Sequence, residues 1–144
     1  MRRAFLAQYH ADLICALPEG EVEKVRVKLG GALLEPFIES LGGQPLDPAQ
    51  VKPRLEAYLR DELGMADYVN VTVEGNEVSV EMSGCHLCHG NDILRQRGKT
   101  GWCPFAPGIN RALSRALKGG SRLEGVTKPT GKTGECVIKY TTGG

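Results

Sequence analysis

At Tyr68 the apolar residues of this chain stop recurring at helical spacing and begin to alternate. Val69, Val71 and Val73 share one side of a first run, and Val78, Val80 and Met82 share one side of a second, with Gly75-Asn76 between them. A period of about 2 interrupted by a two-residue Gly-Asn link predicts a β-hairpin over 68–74 and 77–83.

Before the hairpin the period is helical. Phe5, Leu6, Tyr9, Leu13 and Leu17 predict a first amphipathic helix with those residues inward. Pro18-Glu19-Gly20 breaks it. Val22, Val25, Leu29, Leu34, Phe37 and Leu41 then continue at helical spacing, with Gly30, Gly31 and Pro36 expected to bend or divide the segment. Asp47 is placed to cap a third helix with Pro48 at its first position, an inner face of Val51, Leu55, Tyr58, Leu59 and Leu63, and a stop at Gly64. After the hairpin, Gly90 to Gly101 reads as a polar loop, and Phe105, Ile109, Ala112, Leu113 and Ala116 make a helix from Pro104 to Gly119-Gly120. Strands at about 122–127 and 136–141 close the chain. The expected architecture is α+β, with helices covering one antiparallel sheet. All of 1–144 is read as one domain, with a motif region of about 68–141 and a helical part of 1–64.

Composition excludes several function classes. Eighteen basic and 17 acidic residues leave a net charge of +1, without a polybasic run or acidic tail, which speaks against nucleic acid and anionic membranes as partners. No run reaches the roughly 18 apolar residues of a membrane span. Met1-Arg2-Arg3 begins like a signal peptide, but Gln8, Tyr9, His10 and Asp12 interrupt the apolar stretch, so a cytoplasmic protein is expected. His10 reads as a boundary residue. No Ser/His/Asp set is recognisable, so the chain leans away from enzymes. Gly125 to Thr133 imitates a phosphate loop with one residue too many between its glycines, and a strand follows it; a hairpin loop is expected there.

The chemistry lies in the cysteines. In a reducing compartment, clustered cysteines are more often metal or redox groups than disulfides. Of the five, Cys15 reads as a small buried residue on the first helix. Cys85, Cys88, Cys103 and Cys136 group as one candidate metal site, the first two as a Cys-X-X-Cys pair. One ion would close loops of 14 and 32 residues, and loop-closure entropy grows slowly with length. Zinc is the first choice for such a tetrahedral thiolate set, and a 4Fe-4S cluster the second. Cys85, Cys88 and His89 also spell the c-type haem motif. Haem ranks third, because it would leave Cys103 and Cys136 unexplained. A thioredoxin-like Cys85/Cys88 dithiol ranks low, because 91–97 reads as a poor helix.

The segment from about Val78 to Tyr140 resembles the 4-vinyl reductase domain family. The resemblance rests on the hairpin leading into Cys85-His86-Leu87-Cys88, on Cys103-Pro104-Phe105 with Gly108, on Gly119-Gly120, and on Cys136-Val137-Ile138-Lys139-Tyr140. It implies a TRAPP-like fold built as a homodimer, with a pocket for an apolar small molecule. In the family's regulators zinc is held by three cysteines and a glutamate, and Cys103 and Cys136 fall at two of those positions. The strand expected to supply the others reads Leu123-Glu124-Gly125-Val126-Thr127-Lys128, with Glu124 out of register and Lys128 near the cysteine's place. Cys85 and Cys88 are the expected replacements, with His86, His89 and Glu124 as possible substitutes for one of the four. The expected function is a metal-bearing module that binds or senses an apolar ligand. The alternative is an iron–sulfur redox protein or accessory subunit of a reductase.

Overall fold

The computed structural model describes residues 2–128 and 135–143, and the side chains of all of these except Arg2, Arg3 and His86. Helices α1 (Arg2–Ala16), α2 (Glu19–Ser40) and α3 (Pro48–Glu56) come first, and α3 runs on as a π-helical turn, Ala57–Glu62. Strands β1 (Tyr68–Glu74) and β2 (Glu77–Ser83) form the expected hairpin, with Gly75 at φ +57° in its turn. Helices α4 (His86–Gln96) and α5 (Phe105–Ala116) precede β3 (Ser121–Thr127) and β4 (Glu135–Thr142). The antiparallel sheet has the order β1-β2-β4-β3, so the α+β architecture is as expected.

Alternation makes the sheet two-sided. Val71, Val80, Met82, Cys136, Ile138 and Tyr140 are buried on one face, while Glu81 and Lys139 point the other way and are exposed. The register sets Met82 opposite Cys136 and Val80 opposite Ile138. Helix α3 lies on β1 and α5 on β3 and β4, and α2 stacks on α5. Leu34, Phe37, Leu55 and Ile109 complete this core. Asp47 and Pro48 stand at the N-cap and first position of α3, and Gly64 ends its extension at φ +60°.

Helix α2 runs unbroken through Gly30, Gly31 and Pro36 instead of dividing. Gly30 is where α2 meets α5. A Cβ there would collide with the Pro104 carbonyl oxygen, and one on Gly108 would stand 2.5 Å from the carbonyl oxygen of Gly30. The two helices cross backbone to backbone.

Three expectations fail in the outer layer. Helix α1 turns Ala7, His10, Ala11 and Ile14 inward, and leaves Phe5, Leu6, Tyr9 and Leu13 exposed. Its partner is α4, and the small residues allow close approach. Cys15 is therefore exposed rather than buried. The stretch from Gly90 to Gln96, read as polar loop, belongs to α4. Its polar residues conceal an inner side formed by Gly90, Asn91 and Leu94. Ala11, Ile14, Leu94 and Trp102 make a second small core, bordered by Leu17, Val22 and Val25. The central residues of the phosphate-loop imitation, 129–134, lie outside the described residues.

Candidate functional site

Gly84, at φ +71°, turns the chain out of β2, and Cys85 follows as the N-cap residue of α4 with an extended backbone. Cys88 sits one helical turn on, and the His89 N–H donates to the Cys85 carbonyl at 3.3 Å. Cys136 enters from the inner face of β4. The Cys88 thiol donates to Cys136 Sγ across 3.4 Å, and both residues are buried. Cys103 is half-buried just before α5, where Arg26 of α2 donates to its carbonyl at 3.2 Å. Three elements, α4, β4 and the start of α5, thus bring all four expected cysteines into one region.

The electrostatics show how close the sulfurs are. The hydrogen bond to Cys88 is the largest cause raising the Cys85 thiol far above its ordinary range, followed by burial and the charge of Cys88. Cys88 is raised first by its bond to Cys136 and also by burial and by the charges of Cys136 and Cys103. Burial, aided by Cys85, pushes Cys103 up to about 11. Tyr140, buried beside them, is raised by burial and by Cys103 and Cys136. Without a cation these groups stay protonated, because thiolates this close would repel one another in an apolar surrounding. A bound cation inverts that logic.

The donor set suits a soft or borderline metal. Sulfurs bound to one tetrahedral zinc at about 2.3 Å stand about 3.8 Å apart, and Cys88 with Cys136 comes near this at 3.4 Å. Among the described residues, however, no three or more His, Cys, Asp or Glu side chains are arranged around a common point as metal ligands. The sulfurs are gathered pairwise, so a metal would have to draw Cys85 and Cys103 onto the Cys88–Cys136 pair. Glu124 is not in this group. It is exposed on β3, accepting from Arg122 at 2.8 Å and from Thr141 at 2.7 Å on the face of β4 away from Cys136. His89 is half-buried on α4.

An apolar groove of about 380 Å³ adjoins the cysteine segments. Leu6, Tyr9, Leu13, Leu29, Leu33 and Phe105 are among its walls. Leu87, between the paired cysteines, and Pro104, directly after Cys103, also line it. A larger cleft of about 490 Å³ at Pro45–Pro48 and Thr142–Gly143 includes no cysteine.

His10 is the polar member of the groove wall. It is buried, so the boundary reading fails. The Trp102 N–H donates to Asn91 Oδ1 at 2.8 Å, which identifies that atom as the carbonyl oxygen. His10 Nε2, 2.9 Å from the same oxygen, must then carry the proton. Burial, the largest cause, holds the imidazole below its ordinary pKa, against the hydrogen bonds to Asn91 and Trp102. The Trp102 ring lies 5.5 Å from that of His10, and its Nε1–H donates to Val22 at 3.0 Å. Helical spacing alone gives no sign of this network, because the polar stretch that holds Asn91 reads as a loop.

Set against known proteins, the chain matches no family model and no curated protein. Among the described residues, no helix is long and apolar enough to cross a membrane.

Proposed function

We propose that this protein binds an apolar small molecule in the groove between α1, α2 and α5, and that one zinc ion held by Cys85, Cys88, Cys103 and Cys136 braces the groove's wall. The observation that carries the reading is that the buried Cys88, 3.4 Å from Cys136, and Cys103 lie on the segments that also supply Leu87 and Pro104 to the groove. A volume of about 380 Å³ falls within the range of roughly 300–1,000 Å³ usual for small-molecule sites. The lining is dominated by leucines and aromatic rings, which suits a hydrocarbon-like ligand.

A 4Fe-4S cluster on the same thiolates is the second reading, and the all-cysteine donor set favours it. Each thiolate of such a cluster takes a different iron, which spreads the sulfurs. The short Cys88–Cys136 separation favours a single ion instead.

Anaerobic purification from cells grown with zinc and iron, followed by elemental analysis and a visible spectrum, tests the metal. One zinc per chain in a colourless protein is expected. Four irons and a brown colour would establish the second reading, and metal-free protein would end both. The groove is tested with the lone tryptophan. Trp102 lines it, so a long-chain alkane or alcohol should change its emission saturably, and Leu33→Glu should abolish the response.

A further inference from the structure

The contact between Cys88 and Cys136 has a second chemistry. The two thiols face each other across 3.4 Å, one on α4 and one on β4, in a buried setting. A disulfide needs about 2.05 Å between its sulfurs. Each sulfur would have to move about 0.7 Å, equivalent to a χ1 rotation of roughly 25°. The exposed Cys15 is not part of this group; its sulfur accepts from Arg97 on the outer surface.

We propose that Cys88 and Cys136 are a redox pair which peroxide converts to a disulfide when no metal is bound, so that oxidation and metal loading exclude one another. The exclusion rests on the metal reading above, whereas the cross-link stands on the thiol geometry alone. In the first step one of the two thiols gives up its proton, its sulfur attacks peroxide as the thiolate, and that proton goes to the departing hydroxide. An S–O bond forms, the O–O bond breaks, and one water leaves, giving a sulfenic acid. In the second, the other sulfur displaces the hydroxyl. The S–S bond forms, the S–O bond breaks, and a second water leaves. The two sulfurs lose two electrons in total, and the peroxide is reduced to water. The product removes two thiolates from the set of four. Cys85 and Cys103 alone cannot complete a tetrahedral site.

The test uses the full chain carrying Cys15→Ser, stripped with a chelator and treated with hydrogen peroxide. Free thiols counted in denaturant should fall from four to two, and non-reducing peptide mapping should find the Cys88 peptide joined to that of Cys136. Zinc uptake should fall from one per chain to nearly none and return after dithiothreitol. Adding Cys85→Ser should leave the cross-link in place, with thiols falling from three to one. A Cys85–Cys88 link, or thiols that stay at four, would overturn the proposal. If the reduced protein takes up no zinc yet forms the cross-link, the pair stands and the metal reading fails. If zinc binds and no cross-link forms, the pair alone fails.

Discussion

The adjacent glycines of α2 should respond to the same substitution with opposite signs. Gly30 is buried at the crossing with α5, where an added Cβ would collide with the Pro104 carbonyl oxygen and stand 3.0 Å from the Gly108 nitrogen. Both obstacles are backbone, so neither can rotate aside, and the start of α5 must move. Overpacking of this kind costs about 1–3 kcal/mol. The gain in helix propensity from Gly to Ala returns at most about 1 kcal/mol. Gly30→Ala should therefore destabilise by about 1 kcal/mol on balance. At Gly31 an added Cβ meets nothing within 4 Å, so Gly31→Ala keeps the propensity gain and should stabilise by up to about 1 kcal/mol. At about 3–4 °C per kcal/mol for a chain of this size, the two variants should melt roughly 7 °C apart. Thermal unfolding followed by circular dichroism measures the gap. Equal melting temperatures, or a more stable Gly30→Ala, would refute the backbone-to-backbone crossing. Because the displaced segment begins beside Cys103, Gly30→Ala should also weaken metal retention, and Gly31→Ala should not.

Gly90→Ala should destabilise by about 1–3 kcal/mol, since its Cβ would press into the His10 ring, 2.8 Å from Cγ; urea unfolding measures it, and an unchanged midpoint would count against the α1–α4 seat. His10 has a lowered pKa through burial, so the unfolded chain binds the proton more readily. The stability from its neutral form should be complete above about pH 6.5 and fall as the pH drops through the lowered folded value. Urea midpoints at pH 7.5 and 5.5 should show that loss, and His10→Gln should flatten it. Tyr140→Phe removes the 2.8 Å bond from its hydroxyl to the Ala106 carbonyl and should cost about 1 kcal/mol in the same assay. Chelation or Cys136→Ser should lower the melting temperature of metal-loaded protein; equal melting with and without the ion would remove its bracing role.

The sheet and the inner helices were legible because their burial follows a period. Val69, Val71, Val78, Val80 and Met82 alternate as they pack, and Ile109, Leu113 and Ala116 recur as α5 turns. The outer layer was not legible, because there close approach matters more than hydrophobicity. Ala7 and Ala11 go inward on α1 while Phe5 and Tyr9 stack on each other outside at 6.2 Å. A reading that assigns the largest apolar residues to the core inverts such a helix. The same bias hid α4, where the inner positions include Gly90 and Asn91. Grouping of the four cysteines was readable from spacing and element ends. That Cys136 comes within 3.4 Å of Cys88 was not, since it depends on the register placing Cys136 opposite Met82.

The missed helix changes how the cysteines are to be understood. With α4 formed, Cys85 does precede a helix N-terminus, as a redox-active dithiol requires, so the reason for ranking that chemistry low disappears. The helix dipole alone would lower the thiol's pKa. The hydrogen bond to Cys88 and burial act the other way and prevail, so Cys85 is not a ready nucleophile. The position of α4 gives the thiols a mechanical role instead. Its first turn belongs to the main core through Cys88, while Leu94 belongs to the second core with Ala11 and Ile14 of α1. Helix α1 packs chiefly on α4, and it supplies Leu6, Tyr9 and Leu13 to the groove. Whatever fixes Cys88 to Cys136 therefore fixes α4 on the sheet, and through α4 it fixes one wall of the groove. Metal and disulfide would both hold that link, but only the metal would also draw in Cys103 and the start of α5. The state of the thiols should accordingly alter the α5 side of the groove, at Pro104 and Phe105, more than the α1 side.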